Sequence, residues 1–361
     1  MKPVLFVTGH VPAYRAGALA CLHKREQIEV ALFGGRSRHG GAASAGELPF
    51  PHRSVRPREL QAIAASGRYR AVVCPTGGRL APLASWAGAR RARVPLILWA
   101  SLWAHPRSAA HALTYLPLLR LYRSADALVT YGPHVSAYVS AHGARNVHAA
   151  PQSVDNDFWS SPQISAVSEA AWPAAARTRF LFVGRPEREK GLAVLLDAWA
   201  AAELAPDAAL VLVGADGHAA AGPPGAARGV VRLGALAPVQ LRDVYAACEV
   251  LVVPSIATRT FREPWGLVVN EAMNRGLAVI ASDAVGAAAG GLVRDGENGL
   301  VVAAGNSGAL AGALARLSGE APLRAQLGAA GRKDVRAFSH EAWAEGFSRA
   351  LASVGLARGR C

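Results

Sequence analysis

The stretch of sequence that decides the fold is Glu263-Pro264-Trp265-Gly266-Leu267-Val268-Val269-Asn270-Glu271-Ala272-Met273. A Pro-Trp-Gly turn leads into apolar residues at helical spacing, which predicts a helix with Pro264 in its first turn and Gly276 at its end. The N–H groups of a first helical turn can bind an anion such as a diphosphate, and Gly266 lets a ligand approach the backbone closely. Glu263 and Glu271 then flank this helix mouth and suit a ligand with hydroxyls on both sides of a phosphate. Two unrelated surface acids are the alternative, because this spacing also arises by chance.

The spacing and its neighbours resemble the Glu-x7-Glu segment of retaining glycosyltransferase family 4, whose enzymes have the GT-B fold. Further segments resemble the family in the expected order, namely residues 180–185, Lys190-Gly191, Pro254-Ser255, 278–283 and 295–300. The likeness is looser upstream, where Pro12-Ala13-Tyr14-Arg15 is similar to the Pro-x-Tyr-Arg loop of one branch. Residues 151–155 stand where the family has the turn between its domains. Together these segments extend over nearly the whole chain.

Short apolar runs alternate with helical stretches in both halves of the chain, which predicts parallel sheets covered by helices. The predicted strands are 4–8, 28–33, 71–74, 95–99, 127–130 and 147–150, followed by 180–183, 209–213, 230–233, 250–253, 278–281 and 299–302. The fold class is therefore α/β, and the resemblance specifies GT-B, with two doubly wound Rossmann-like domains that face a shared cleft. We expect an acceptor-binding domain at 1–160, a nucleotide-sugar-binding domain at 177–342, and a C-terminal helix at about 343–361 that joins the first domain. Residues 34–46 are expected to form a surface loop, and residues 160–178 the linker.

Transfer from a nucleotide-diphosphate sugar requires that the departing diphosphate be stabilised. An Asp-x-Asp motif would hold a metal for this purpose, but Asp155-Asn156-Asp157 fits that motif only formally. We therefore expect neither a metal nor a cofactor, and we expect Arg185 and Lys190 to provide the positive charge. Solvated surface cations are the alternative for these two residues.

The resemblance also implies a role for each candidate site residue. The catalytic residues would be Glu263, Arg185, Lys190 and His105, and an ordinary loop histidine is the alternative for His105. The donor-binding residues would be Gly184, Arg185, Lys190, Pro254, Ser255, Glu263, Trp265, Gly266, Leu267 and Glu271. The acceptor-binding residues would be Gly9, His10, Tyr14 and Arg15.

The formal charge of +14 comes almost entirely from arginine. A basic surface attracts anionic lipid headgroups or phosphorylated acceptors, and nucleotide bias in the genome is the alternative explanation. The chain lacks zinc spacing and aromatic RNA-binding signatures, so we do not expect nucleic acid as a partner. It also lacks a run of eighteen apolar residues, and we expect its first residues to form a buried strand rather than a signal peptide. Cys21, Cys74 and Cys248 are expected to be reduced core residues. These features predict a cytoplasmic protein, with or without peripheral contact with the inner face of the membrane.

The sequence thus predicts a retaining, metal-independent glycosyltransferase with a nucleotide sugar as donor. The acceptor would be a hydroxyl on a sugar or lipid-linked molecule in the assembly of a surface polysaccharide or glycolipid. One rival is a nucleotide-sugar epimerase of related fold, which would consume donor without acceptor. The other is a nucleotide-binding subunit that has lost turnover.

Overall fold

The computed structural model describes residues 2–34, 48–78, 80–162, 177–214 and 229–356. The loop expected at 34–46 and the linker expected at 160–178 lie almost wholly outside these ranges. The chain divides into two compact units, unit 1 comprising Met1–Asp155 and Phe338–Cys361, and unit 2 comprising Asn156–Ala337. Within the described ranges, no helix has both the length and the apolar character needed to cross a bilayer.

Unit 1 contains a seven-stranded parallel sheet with the order β3-β2-β1-β4-β5-β6-β7. Its strands are β1 (Val4–Thr8), β2 (Ile28–Leu32), β3 (His52–Ser54), β4 (Ala71–Pro75), β5 (Leu96–Ala100), β6 (Ala127–Thr130) and β7 (Val147–Ala149). The helices before the crossing to unit 2 are α1 (Ala13–Glu26), α2 (Leu60–Ala64), α3 (Ala81–Ala92), α4 (Ala109–Ser124) and α5 (Pro133–Ala141). The sequence analysis missed β3, a three-residue edge strand whose His52 and Ser54 are exposed and carry no apolar signal.

Unit 2 contains a six-stranded parallel sheet with the order β10-β9-β8-β11-β12-β13. Its strands are β8 (Thr178–Val183), β9 (Ala208–Val213), β10 (Val230–Leu233), β11 (Val250–Val253), β12 (Ala278–Ser282) and β13 (Leu300–Val302). Its helices are α6 (Asn156–Ser160), α7 (Leu192–Ala201), α8 (Pro238–Ala246), α9 (Val268–Arg275), α10 (Gly286–Ala289), α11 (Ser307–Gly319) and α12 (Ala321–Asp334). Every strand predicted in this half is present, so the α/β fold class is confirmed.

The last helix, α13 (His340–Leu351), returns to unit 1 and completes its core. Ser339 caps its N-terminus, where the hydroxyl accepts a hydrogen bond from the Ala342 N–H at 3.2 Å. Trp343 and Phe347 are fully buried, with ring centroids 6.3 and 5.6 Å from that of Phe6 on β1. Large aromatic side chains bury much apolar surface, so α13 stabilises one face of the unit 1 sheet.

Each sheet has one point at which the direction of strand addition reverses. This switch point lies between β1 and β4 in unit 1, and between β8 and β11 in unit 2. Ligands of doubly wound sheets bind beyond the carboxyl ends of the strands at such points, because the two neighbouring loops diverge there and leave a crevice.

Candidate functional site

In unit 2 the two loops that leave the switch point are fastened to each other. Gly184 and Arg185 follow β8, and a short 3₁₀ turn brings Lys190 back toward the loop after β11. The Ile256 N–H donates to the Glu189 carbonyl at 2.9 Å. Gly191 has φ +70°, and a Cβ at this position would lie 1.9 Å from the Pro254 carbonyl oxygen. Only glycine therefore fits where the two loops meet.

Lys190 and Glu263 form an ion pair at this junction. The Lys190 Nζ lies 2.6 Å from Glu263 Oε2, and the Ser255 hydroxyl lies 3.4 Å from the same oxygen. Glu263 is only 6% exposed, whereas the lysine side chain remains partly open. The carboxylate therefore holds a cation at the switch point, in a place where a charge is only weakly screened by solvent.

The turn around Glu263 is set by long-range pairing rather than by α9. Glu263 forms a β-bridge with Val285, and the Ala287 N–H donates to the Trp265 carbonyl at 2.7 Å. The expectation that Pro264 lies in the first helical turn is wrong, because α9 begins at Val268. Gly266 adopts φ +92°, a left-handed conformation that separates the turn from the helix.

Three expected donor-binding residues lie in or beside this turn. Trp265 is 3% exposed, and its indole N–H donates to Asn270 Oδ1 at 2.8 Å. Its side chain thus anchors the turn to α9. Gly266 and the half-buried Leu267 directly precede α9, and their carbonyls accept hydrogen bonds from the Val269 N–H at 3.0 Å and the Glu271 N–H at 3.1 Å.

Glu271, on the first turn of α9, is bonded to a tyrosine that the sequence analysis did not identify. The Tyr245 hydroxyl, from α8, donates to Glu271 Oε2 at 2.8 Å. Burial raises the pKa of Glu271 to about 7, and the hydrogen bond from Tyr245 opposes this shift. Tyr245 itself is fully buried, and the ring of Trp159 meets it edge to face at 5.6 Å. No local pattern in the sequence of α8 marks Tyr245, because its role depends on a helix further along the chain.

Arg185 has a different partner from Lys190. Its guanidinium lies 2.8 Å from Glu187 Oε1, and its side chain is 44% exposed. An exposed pair of this kind contributes little to stability, so Arg185 can exchange Glu187 for another anion at low cost. The structure therefore brings Lys190, Ser255 and Glu263 into direct contact. Arg185 pairs instead with Glu187, and Glu271 is bonded to Tyr245.

In unit 1 the residues expected to bind acceptor follow β1. Gly9, His10 and Tyr14 are half-buried at the carboxyl end of that strand. Arg15 is 4% exposed, and its guanidinium lies 5.4 Å from the ring of Trp99 and 5.2 Å from that of Trp343. It also donates a hydrogen bond to the side chain of Gln152. The Arg15 guanidinium thus points toward the interior of unit 1, where the two aromatic rings attract it.

His105, the expected catalytic histidine, lies between β5 and α4. Its Nε2 lies 3.0 Å from the His111 carbonyl oxygen, and its ring centroid lies 4.7 Å from that of Tyr115. Its Nδ1 is buried without a hydrogen-bond partner among the described residues. These contacts fix His105 against the first turns of α4, at the carboxyl edge of the unit 1 sheet.

Within the described ranges, no three or more histidine, cysteine, aspartate or glutamate side chains are grouped so that they could hold a metal ion. Cys74 and Cys248 are buried free thiols. Cys21 is a free thiol that packs half-buried against the core of unit 1 rather than within it, and its Sγ lies 3.5 Å from Glu341 Oε1. Cys361 lies outside the described residues.

Sequence comparison relates part of this chain to known glycosyltransferases. The family model described as "Glycosyl transferases group 1" matches residues 177–320. The phosphatidyl-myo-inositol mannosyltransferase of Mycobacterium leprae is 35% identical over 215 residues, which are 56% of this chain and 53% of that protein. A D-inositol 3-phosphate glycosyltransferase of Rhodococcus erythropolis is 41% identical over 111 residues, 30% of this chain and 23% of that protein. The matches thus span about half of the first relative and less of the second.

Structural comparison covers nearly the whole chain. HepE of Anabaena, solved in complex with UDP and glucose, superposes with a TM-score of 0.74 at 20% identity over 98% of this chain and 100% of that one. Sucrose-phosphate synthase of Thermosynechococcus elongatus gives a TM-score of 0.73 at 22% identity over 98% and 99%. At these identities the likeness establishes the fold. The chain therefore has the GT-B fold, and its residues 177–320 are similar to the group 1 glycosyltransferases.

Proposed function

We propose that this protein is a retaining, metal-independent glycosyltransferase that moves a sugar from a nucleotide-diphosphate sugar to a hydroxyl acceptor. The observation that carries the proposal is the ion pair of Lys190 with the buried Glu263 at the unit 2 switch point. The match of residues 177–320 to group 1 glycosyltransferases supports it, as does HepE, a protein of the same fold solved with UDP and glucose.

In this proposal the diphosphate lies between the Lys190 loop and the mouth of α9. The Lys190 ammonium leaves Glu263 for a phosphate oxygen, and the exposed Arg185 leaves Glu187 for another. Charge-assisted hydrogen bonds of this kind are about twice as strong as neutral ones. The N–H groups before and within the first turn of α9 add positive potential. The protein then neutralises the leaving group with its own residues.

The two glutamates would bind the hydroxyls on either side of the diphosphate. Glu263, released by Lys190, accepts hydrogen bonds from hydroxyls of the transferred sugar. Glu271 accepts from the ribose, while Tyr245 keeps donating to it and holds its carboxylate in place. Ionised carboxylates accept two hydrogen bonds readily, which suits vicinal diols.

The chemical step follows from this placement. The bond between the anomeric carbon and the diphosphate oxygen breaks, and the acceptor oxygen forms a bond to the same face of that carbon. The leaving phosphate takes the proton of the acceptor hydroxyl, so neither glutamate needs to be a nucleophile. Retention of configuration rests on the family resemblance. Stabilisation of the charge on the leaving group by Lys190 and Arg185 would supply the main catalytic effect.

The acceptor would bind to unit 1, at the carboxyl end of β1. Gly9, His10 and Tyr14 would contact it, and Arg15 would hold that loop against Trp99 and Trp343. His105 would lie near the reacting hydroxyl, because it too lies at the carboxyl edge of the sheet. We propose a sugar or lipid-linked acceptor in polysaccharide or glycolipid assembly.

The test combines a ligand screen with a matched pair of variants. A thermal-shift screen of nucleoside diphosphates and their sugars identifies the donor, since a ligand at 100 times its dissociation constant adds about 2.7 kcal/mol. Lys190→Met is then compared with Arg188→Met, which removes an exposed cation from the same turn. We expect Lys190→Met to lower turnover about 100- to 1,000-fold and Arg188→Met to leave it nearly unchanged. Equal turnover in both variants, or no stabilisation by any nucleotide, would contradict the proposal.

A further inference from the structure

Unit 1 exposes four leucines on two neighbouring helices. Leu113 and Leu116 on α4 are 81% and 73% exposed, and Leu80 and Leu83 at the start of α3 are 61% and 39% exposed. Among the described residues, the other large hydrophobic side chain of comparable exposure is Val239 on α8 of unit 2. Scattered surface leucines need no explanation, but these four lie toward the N-terminal ends of two helices that contact each other, and we treat them as one apolar patch.

The patch lies in the most basic part of the sequence. Between Glu59 and Asp126 the chain has nine arginines, no lysine and no acidic residue. Neither α3 nor α4 therefore carries a negative charge. The exposed leucines are therefore accompanied by arginines that no acidic residue on α3 or α4 offsets.

The arrangement on α4 is amphipathic along its outer face. Leu113, Leu116, Arg120 and Arg123 follow one another at helical spacings of three, four and three residues, so they lie on one side of the helix. All four are exposed. The leucines occupy the N-terminal half of this face and the arginines its C-terminal half. The Arg120 guanidinium lies 5.5 Å over the ring of Trp86 on α3, which ties the two helices together.

We propose that this surface, formed by Leu80, Leu83, Leu113, Leu116, Arg120 and Arg123, docks onto an anionic phospholipid bilayer. We call it the leucine–arginine surface. A bilayer interface takes leucine side chains into the boundary between headgroups and acyl chains while arginines bind the anionic headgroups. A second copy of the chain fits less well, because a symmetric contact would bring two positive surfaces together. Nucleic acid would use the arginines alone and leave the leucines in water.

The position of the surface relates it to the acceptor, a step that rests on the proposed function. The helix α4 begins after the carboxyl end of β5, the edge of the unit 1 sheet at which His105 lies. The N-terminal leucines of α4 are therefore on the part of the helix nearest to this edge. Docking would place the expected acceptor site next to the lipid surface, so a lipid-linked acceptor could enter it without leaving the membrane.

The test is sedimentation of the full chain with vesicles of phosphatidylcholine alone and of phosphatidylcholine with phosphatidylglycerol. We expect binding only to the anionic vesicles, weakened by salt. The double variant Leu113→Ser with Leu116→Ser should bind at least about tenfold more weakly, because it removes two inserted apolar side chains. Val239→Ser is the matched control and should bind like the wild type. Arg120→Gln with Arg123→Gln should also weaken binding at least about tenfold, since each arginine near the surface contributes about fivefold.

Three outcomes would overturn the inference. They are equal binding to neutral and anionic vesicles, equal binding of the leucine variant and Val239→Ser, or a wild-type dimer that the leucine variant dissociates in sedimentation velocity. Thermal melting checks that each variant is folded, and the arginine pair provides a second measurement if the leucine variant is not. The thermal shift with nucleotide reports on the proposed function separately, so a failure there leaves the vesicle result interpretable.

Discussion

The pKa of Glu271 makes nucleotide binding depend on pH near neutrality. Burial raises this pKa to about 7, while an ordinary glutamate has a value near 4.5. If the ribose binds to the ionised carboxylate, affinity follows the ionised fraction, which rises from about 0.1 at pH 6 to about 0.9 at pH 8 for a pKa of about 7. We therefore expect the association constant to increase about tenfold over this interval. With an ordinary pKa the fraction would already be about 0.97 at pH 6, and the affinity would not change.

The assay is isothermal titration calorimetry with the nucleoside diphosphate that the ligand screen selects, at several pH values between 6 and 8. Glu271→Gln is the first control, because it removes the titrating group and retains the titration of the nucleotide phosphate. The ratio of wild-type to Glu271→Gln association constants therefore isolates the contribution of this carboxyl group. Tyr245→Phe is the second control. The hydrogen bond from the Tyr245 hydroxyl lowers the pKa of Glu271, so removal of that hydroxyl should move the midpoint of the pH dependence upward.

A ratio that stays constant from pH 6 to pH 8 would refute the reasoning, since it would mean that Glu271 does not titrate there or does not meet the nucleotide. A midpoint unaffected by Tyr245→Phe would refute the part assigned to the hydrogen bond.

The raised pKa of Glu271 also makes the stability of the fold depend on pH, but stability falls as the pH rises, whereas nucleotide affinity increases. Because the folded pKa is raised, the favourable contribution is fully present below the unfolded value near 4.5 and is lost as the pH rises toward 7. The melting temperature of Glu271→Gln relative to the wild type should therefore increase between pH 5 and pH 8.

Three further predictions follow from the site. Glu263→Ala should chiefly lower the transfer rate and Glu271→Ala chiefly the nucleotide affinity, as measured by initial rates and calorimetry; equal and negligible effects in both would leave the pair without a role. Turnover should persist in EDTA because Lys190 and Arg185 carry the charge, and a loss restored by magnesium or manganese would contradict this. Gly191→Ala should destabilise the protein by at least about 1–3 kcal/mol in thermal unfolding, because its Cβ would meet the Pro254 carbonyl at 1.9 Å. Gly312→Ala in α11, which has open space around its Cβ, should instead stabilise by up to about 1 kcal/mol, and the reverse order would contradict the argument.

The strands could be predicted because a buried parallel strand is an uninterrupted apolar run that is visible locally. The short edge strand β3 could not, since only one of its faces is covered and its residues are polar. The start of α9 was misplaced for a different reason. Proline suits a first helical turn, but pairing of the Glu263 turn with Val285 fixes the backbone there. Such pairing between distant segments leaves no periodic signal.

The site shows the same division between local and distant information. The resemblance to glycosyltransferase family 4 implied that Lys190 and Glu263 belong to one site, and the structure places the two side chains in direct contact. The inward turn of Arg15 depends on Trp343, which comes from the far end of the chain. The bond of Tyr245 to Glu271 likewise depends on how α8 lies against α9. Motifs thus predict which loops would carry the chemistry, and packing decides which side chains of those loops are buried and which remain exposed.

The ion pair of Lys190 with Glu263 suggests how binding of the complete donor is favoured. A buried carboxylate that loses its cation is costly unless other donors replace it, because desolvation of the charge is then uncompensated. In the proposed function, a nucleoside diphosphate alone would take Lys190 from Glu263, and the Ser255 hydroxyl would still donate to that carboxylate. A nucleotide sugar would take Lys190 with its phosphate and would also offer hydroxyls to Glu263. We infer that the exchange of partners at this pair makes the site discriminate the sugar-bearing donor from the spent nucleotide, so that the diphosphate is released more easily once the sugar has been transferred.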